Sequence, residues 1–214
     1  MNLTERTKLR RLPARGSHEL DTIYRILDAA FLAHVGFCVN GQPFVIPTNF
    51  GREGDTLFIH GSAASRMLRE LDKGVPGCVT VTHVDGLVLA RSAFHHSMNY
   101  RSVVAFGTAR KIDDPERKMH ALKVISDHLI NGRWDEVREP NEKEMKQTSV
   151  LEFAIEEASA KVRTGGPIDD EEDYALPVWA GVLPLSVRAT EPRADERLPI
   201  QTKVPEYVTR YAKE

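Results

Sequence analysis

The sequence has no hydrophobic run approaching the roughly 18–20 residues that a helix needs to cross a bilayer, so we expect no membrane association. The basic segment of residues 1–15 is followed by no apolar core and is not typical of a secretory signal. Lys and Arg total 29 and Asp and Glu total 31, which gives a net charge of -2 with no basic block. This balance argues against a protein that binds nucleic acid electrostatically.

Cysteine is scarce: the only two, Cys38 and Cys78, each lie inside an apolar run. We expect both thiols to be buried, which fits a reducing compartment better than a disulfide scaffold. The sequence therefore predicts free thiols and a cytoplasmic location, with a Cys38–Cys78 bridge as the less favoured alternative.

Regular patterns of metal ligands and of nucleophiles are also missing. His95 and His96 are adjacent, so on a strand they point to opposite faces, and no carboxylate or cysteine completes a ligand set with them. No Gly-x-Ser-x-Gly elbow is present, which disfavours a hydrolase. The acidic run of residues 169–173 is interpreted as a solvated loop. We predict no metal site.

Short apolar segments joined by tight turns are the main pattern that is present. Asn40-Gly41 is the strongest hairpin signal, and Asp85-Gly86 predicts a second hairpin between strands at residues 75–84 and 87–93. Two later strands are expected at residues 149–155 and 160–164. This order favours an antiparallel barrel over alternating strands and helices.

Four helices are predicted beside these strands. Ser17 is the expected cap of a helix over residues 18–31, and Asp114-Pro115 is a typical helix start. Shorter helices are expected at residues 65–73 and 142–147.

The domain boundaries follow from composition. A flexible N-terminal arm is predicted at residues 1–16, one domain at residues 17–190, and an extended C-terminal tail at residues 191–214. The 41% hydrophobic content suffices for one core. The tail carries apolar side chains that could pack on a partner subunit, namely Leu198, Ile200, Val204, Tyr207, Val208 and Tyr211.

Residues 57–67 form the most informative segment, because an apolar strand runs there into small residues and then Arg66. Free N–H groups at a helix start, serine hydroxyls and one arginine together make a phosphate site. The alternative is an ordinary capped helix, with Ser62 or Ser65 as the N-cap.

Three segments, residues 41–47, 60–66 and 101–107, occur here in a specific combination. Together they resemble the pyridoxamine 5′-phosphate oxidase-like superfamily of split-barrel proteins. Within it, the flavin-nucleotide-binding branch, similar to 5-nitroimidazole-resistance proteins, gives the best likeness. The resemblance covers roughly residues 17–185. It implies a mainly β (α+β) fold, an FMN-binding split β-barrel with peripheral helices, and a homodimer with FMN at the subunit interface.

The resemblance also implies the residues that contact FMN. The loop that would hold the ribityl phosphate comprises His60, Gly61, Ser62, Ser65, Arg66 and Met67. The strand that would lie against the isoalloxazine comprises Ile46, Pro47, Thr48, Asn49 and Phe50. Further candidates, two of them reaching the site from the partner subunit, are Thr82, Ser102 and Trp179. For Trp179, an ordinary core aromatic is an equal alternative.

Two departures from the family pattern bear on the substrate. Met67 stands where the family's Ser-Arg-Lys motif has lysine, and residues 44–50 contain no Arg or Lys. Both departures argue against pyridoxamine phosphate oxidation. Either the substrate carries less charge, or another cation compensates, for which the candidates are Arg91, Arg101 and Lys161.

The first functional hypothesis is an FMN-dependent oxidoreductase that acts on a small molecule and takes a hydride from a reduced nicotinamide or an equivalent donor. No catalytic residue is assigned. The alternatives are a flavin carrier or sensor with little turnover, a haem-binding split barrel with one axial histidine, and a protein that uses a deazaflavin.

Overall fold

The computed structural model describes residues 3–199 and 201–211. Within them, the strands are β1 (Gly16–Ser17), β2 (Ala33–Val39), β3 (Gln42–Thr48), β4 (Gly51–Glu53), β5 (Thr56–Ser62), β6 (Gly77–Leu89), β7 (Ser97–Lys111), β8 (Thr148–Arg163) and β9 (Gly181–Pro184). The helices are α1 (Leu20–Asp28), α2 (Arg66–Leu71), α3 (Pro115–Leu129), α4 (Glu142–Gln147) and α5 (Glu206–Thr209). Among these described helices, none is long and apolar enough to span a bilayer.

The strands belong to one antiparallel sheet in the order β3-β2-β6-β7-β8-β5-β4, with β1 paired to β8 and β9 paired to β6. The prediction of a mainly β split-barrel fold with peripheral helices is confirmed. By its internal contacts the chain divides into two compact units. The first contains the described residues up to Ala30, Thr80–Ala105 and Glu157–Val187; the second contains Phe31–Val79, Phe106–Glu156 and the described residues from Arg188 onwards.

The second unit contains the predicted Asn-Gly hairpin. Asn40 and Gly41 both have positive φ, 50° and 80°, as a two-residue type I′ turn requires. The turn joins β2 to β3 in a register that pairs Val35 with Ile46. The hairpin prediction is confirmed, and β3 lies at one end of the sheet.

The core of the second unit lies where α3 covers β5. Phe58 of β5, Val150 of β8 and Ile125 of α3 are buried in one cluster. α3 begins as predicted, because the Asp114 carboxylate accepts a hydrogen bond from the Arg117 N–H at 2.7 Å. The prediction of α4 is also confirmed, with a capping box at its start.

The predicted Asp85-Gly86 hairpin is wrong. β6 runs straight through this dipeptide, and Gly86 pairs with Pro184 of β9. The Asp85 carboxylate accepts two hydrogen bonds from the Arg101 guanidinium, at 2.9 and 3.0 Å. Cross-strand pairing therefore outweighs the local turn preference. For the same reason the two strands predicted at residues 149–155 and 160–164 are one strand, β8.

The acidic loop of the first unit is only partly solvated, which corrects its interpretation. Residues 170–172 are exposed, but the side chain of Asp169 is fully buried. It accepts hydrogen bonds from the N–H and guanidinium of Arg91, at 2.9 and 3.1 Å. Burial alone raises the pKa of Asp169, but these bonds and one from the Ser92 N–H outweigh it and hold that pKa below its ordinary value.

Two smaller predictions also fail. Ser17 lies in β1 rather than capping a helix at residue 18, and its hydroxyl accepts from the Glu19 N–H at 3.2 Å. Both cysteines are free, but Cys38 is exposed and Cys78 is half-buried. Cys38 alternates with the buried residues of β2, so its side chain takes the outer face.

Both ends of the described chain make contacts. Thr7 is buried, and Thr4 and Arg6 hydrogen-bond to Glu157 in the first unit. In the second unit, the Tyr211 hydroxyl donates to the Leu129 carbonyl at 2.9 Å. Of the tail residues singled out in the sequence, Ile200 lies outside the described residues. The domain boundaries and the packing of the tail on a partner stay predictions.

Close packing of Gly107 in β7 gives a test of this fold. An added Cβ at Gly107 would lie 1.8 Å from the Ala154 carbonyl oxygen, whereas at Gly36 its nearest neighbour would be at 3.6 Å. We expect Gly107→Ala to lower the free energy of unfolding by about 2–3 kcal/mol. The control Gly36→Ala should change it by less than about 1 kcal/mol. Urea unfolding measures both, and equal midpoints would contradict the close β7–β8 contact.

Candidate functional site

The loop between β5 and α2 leaves the start of the helix without a side-chain cap. Ser65 occupies the N-cap position, but its hydroxyl makes no capping hydrogen bond. The Ser62 hydroxyl accepts from the Ala64 N–H at 3.2 Å, within the loop. Neither serine therefore caps α2 as the alternative interpretation required, and both hydroxyls lie at a partly or fully exposed position.

Backbone hydrogen bonds hold this loop in place. The Ala63 N–H donates to the Gln147 carbonyl at 2.9 Å, and Ser62 pairs with Thr148 in the β5–β8 ladder. The Lys118 ammonium in turn donates to the Met145 and Thr148 carbonyls at 2.7 and 2.5 Å. Lys118 thus holds residues 145–148, which form the backbone hydrogen bonds to the loop. This role was not predicted from the sequence because it depends on a long-range contact.

Arg66 carries a charge that no carboxylate balances. Its side chain is exposed, and among the described residues no Asp or Glu forms a salt bridge with it. Its guanidinium carbon lies 5.3 Å from the centroid of the Phe44 ring, a cation–π contact that orients the side chain toward β3. An exposed, oriented and unbalanced guanidinium at the end of a loop that carries two serine hydroxyls is suited to binding a phosphate.

The other loop residues and the strand residues divide between core and surface. Met67 and Phe50 are buried, so only their backbone groups are available to a ligand. Ile46 and Pro47 are exposed on β3, whereas Thr48 and Asn49 are half-buried. The structure thus brings eleven of the predicted contact residues into the second unit: Ile46, Pro47, Thr48, Asn49, Phe50, His60, Gly61, Ser62, Ser65, Arg66 and Met67.

His60 is the histidine of this unit with an unsatisfied buried atom. Its Nδ1 is buried and has no hydrogen-bond partner among the described residues. Burial lowers the pKa of His60, which favours the neutral imidazole. Two other histidines are occupied, because His83 Nε2 contacts the Ile26 carbonyl at 3.0 Å and His96 Nδ1 accepts from the Ala90 N–H at 3.0 Å.

The remaining three candidates lie in the first unit. Thr82 is exposed, and the Ser102 hydroxyl donates to the Lys161 carbonyl at 3.3 Å. Trp179 is 67% exposed and rests on Gly181, so its interpretation as a core aromatic is wrong.

The three cations proposed to compensate for Met67 differ in whether a carboxylate already pairs with them. Arg91 is paired with Asp169 and Arg101 with Asp85. Lys161 makes no salt bridge within the described part of the chain. Two of the three candidate cations are therefore already neutralised. No group of three or more His, Cys, Asp or Glu side chains among the described residues is placed to hold a metal ion.

Comparison with known proteins bears on this arrangement. A family model described as pyridoxamine 5′-phosphate oxidase matches residues 19–162, which include the loop and β3. The chain belongs to this family. No match is found among curated protein sequences.

Solved structures extend the comparison over the whole chain. The flavocytochrome Anf3 from Azotobacter vinelandii is 43% identical, covers 99% of this chain and 98% of its own, and superposes with a TM-score of 0.92. The FAD and heme binding protein from Mycobacterium smegmatis is 38% identical over 91% of this chain and 96% of its own, with a TM-score of 0.87. A putative 5-nitroimidazole antibiotic resistance protein from Bacteroides thetaiotaomicron is 26% identical over 69% and 86%, with a TM-score of 0.57.

The burial of His60 predicts a pH dependence. Because its pKa is lowered below 6.5 in the folded chain, the unfolded chain binds the proton more readily. We therefore expect stability to be fully present above about pH 6.5 and to fall as the pH drops through this range. His60→Gln should flatten this part of the curve.

Two measurements check this prediction. NMR titration of the His60 ring should give a pKa below that of an exposed histidine. Denaturation at pH 7 and pH 5.5 should show a smaller difference in His60→Gln than in the unmodified chain. A ring that titrates at or above its ordinary pKa would contradict the burial of His60.

Proposed function

We propose that the chain is a flavin-binding oxidoreductase whose β5–α2 loop holds the flavin phosphate. The observation that carries this proposal is the Arg66 guanidinium, exposed and without a carboxylate partner among the described residues, at the end of a loop that also carries the hydroxyls of Ser62 and Ser65. These groups fit a phosphate in charge and in hydrogen-bonding capacity. The family of the chain and the names of two similar structures, a flavocytochrome and an FAD and heme binding protein, support a flavin as the ligand.

A bound flavin would supply hydride and electron transfer between a reduced nicotinamide and a small acceptor. The chain's own residues do the binding and the orienting. Arg66 and the serines would fix the phosphate, and the backbone of the exposed strand β3 at Ile46 and Pro47 would lie along the ring. Half-buried Thr48 and Asn49 continue this segment.

The flavin is proposed to be FMN, held between two copies of the chain. The alternative is FAD, because the similar Mycobacterium smegmatis protein is named as an FAD and heme binding protein. Trp179 supports the two-copy arrangement, because a largely exposed indole is a common contact residue at interfaces. Chromatography of the flavin released by heat distinguishes FMN from FAD, and light scattering at several concentrations gives the number of copies.

Replacement of Arg66 tests the phosphate assignment. We expect Arg66→Ala to weaken flavin binding by about 1.5–3 kcal/mol, the range of a charge-assisted hydrogen bond. This corresponds to about 10- to 150-fold in the dissociation constant. Arg69→Ala is a matched control, because Arg69 is an exposed arginine of the same helix. Titration of each variant with FMN and with FAD measures the change, and equal losses in both variants would refute the assignment.

Haem binding is a second candidate function, in addition to the flavin. The Mycobacterium smegmatis protein is named as a heme binding protein, and the Azotobacter vinelandii protein is named as a flavocytochrome. His60 would be a candidate to hold the haem iron, because its side chain is only half-buried, its lowered pKa favours the neutral imidazole, and iron binds an unprotonated nitrogen.

Absorption spectroscopy tests the haem proposal. The chain purified from haem-supplemented cells should show a Soret band, which His60→Ala should remove or shift. His34→Ala serves as the control, because His34 is an exposed histidine on β2 in the same unit. A Soret band that is unchanged in His60→Ala but lost in His34→Ala would transfer the role to His34.

A further inference from the structure

Among the described residues two charged residues are buried, Asp169 and Arg163, and both lie in the first unit. The charge of Asp169 is balanced by Arg91. Arg163 is only 6% exposed, yet no described Asp or Glu forms a salt bridge with it. A buried charge without a counter-ion is costly, because it has lost its hydration and gained no opposite charge in return. One of the two buried charges is therefore left unbalanced.

Neutral oxygens hold the Arg163 guanidinium at the end of β8. It donates to the side-chain oxygen of Asn99, and to the carbonyls of Gly165 and Gly166 at 3.3 and 3.1 Å. Its Nε is buried and has no hydrogen-bond partner among the described residues. These contacts fix the direction of the guanidinium, but they neither neutralise its charge nor use all of its donors.

Two more cations lie near this end of β8. Arg15 directly precedes β1, whose Gly16 pairs with Lys161 of β8. Lys161 lies two residues before Arg163, and side chains at this spacing share one face of a strand. Both Arg15 and Lys161 are half-buried, and neither forms a salt bridge within the described part of the chain.

The fold does not relieve the repulsion between these cations. Burial lowers the pKa of Arg163, and the charge of Arg15 lowers that pKa further, whereas the Tyr100 side chain acts in the opposite direction. The last carboxylate of β8 is that of Glu157, and it is paired with Arg6 instead. The three cations at this end of the strand therefore have no carboxylate partner among the described residues.

This charge pattern suits a ligand group that carries two negative charges and several acceptor oxygens. A phosphate group has both properties, and the N–H groups of arginine match its oxygens in pairs. A carboxylate would balance only one of the three charges. Because Arg15 and Lys161 are half-buried, their donors can contact a ligand at the surface, while the buried Arg163 adds its charge.

We propose that Arg15, Lys161 and Arg163 form a phosphate-binding site in the first unit. Arg15 and Lys161 make the direct contacts, and Arg163 is the buried charge that attracts the anion. The proposal does not rest on the proposed flavin function. A free phosphate ion and a phosphate monoester present the same chemistry to these residues.

NMR of the arginine Nε–H groups during a titration with inorganic phosphate tests this site. The buried Arg163 Nε–H should give a signal that phosphate shifts in a saturable way and that chloride at the same ionic strength leaves in place. We expect Arg15→Gln to weaken phosphate binding by about 10-fold or more, because a charge-assisted hydrogen bond is lost. The matched control is Arg11→Gln, which removes an exposed arginine of the same segment and should change binding by less than about twofold.

Urea unfolding gives a second readout, which a purely structural role of Arg15 would not produce. Without phosphate, Arg15→Gln should be at least as stable as the unmodified chain, because it removes a repulsive charge. With saturating phosphate, the unmodified chain should become the more stable of the two, since it gains the larger binding free energy. An Arg15→Gln chain that is less stable by the same amount in both conditions would overturn the proposal.

Two further comparisons separate this site from the β5–α2 loop and identify the source of the phosphate group. Phosphate binding that is lost in Arg66→Ala but retained in Arg15→Gln would place the ion at the loop and overturn the proposal. If Arg15→Gln weakens both phosphate and FMN binding, the proposal holds and the flavin carries the group; if it weakens phosphate binding alone, the proposal holds and a separate phosphate compound is the ligand. A chain that binds flavin but shows no saturable phosphate shift would overturn this proposal and leave the proposed function standing.

Discussion

The pairing of β5 with β8 is the constraint on which the second unit depends. It sets Leu57, Phe58 and Ile59 opposite Phe153, Glu152 and Leu151, and most of these side chains are fully buried. The same ladder ends at Ser62 and Thr148, and the next contact, from the Ala63 N–H to the Gln147 carbonyl, carries it into the loop. The position of the loop is therefore set by a buried hydrophobic interface that resists distortion. A loop placed in this way can keep its serines and Arg66 in one arrangement with or without a ligand.

The arginines fall into two groups: those paired with a carboxylate of the fold, and those without such a partner, such as Arg66, whose charge is free to bind a ligand. Arg91 and Arg101 each meet a carboxylate and stabilise the first unit, where the buried carboxylate of Asp169 depends on Arg91. Arg66 meets an aromatic ring instead, which orients the guanidinium without neutralising it. A guanidinium that is oriented but not paired with a carboxylate is available to bind an anion. This availability is the main support for the proposed phosphate site.

The sequence predicted features that depend on near neighbours and missed those that depend on distant ones. The Asn40-Gly41 turn and the Asp114 cap need only a few residues, so their patterns were sufficient. Asp85-Gly86 carries the same local signal, but Arg101 and β9 pair with it and extend the strand. Asp169 was interpreted as solvated because its partner, Arg91, is far away in the sequence. At the site, the loop around Arg66 is recognisable as a motif, whereas the support from Lys118 depends on its hydrogen bonds to carbonyls about 30 residues away in the sequence.

Flavin binding by this chain is tested most directly by the absorption spectrum of the purified protein. We expect bands at about 375 and 450 nm, typical of a protein-bound flavin, that stay with the protein through gel filtration or form on addition of FMN or FAD. A protein that remains colourless and retains neither flavin would contradict flavin binding.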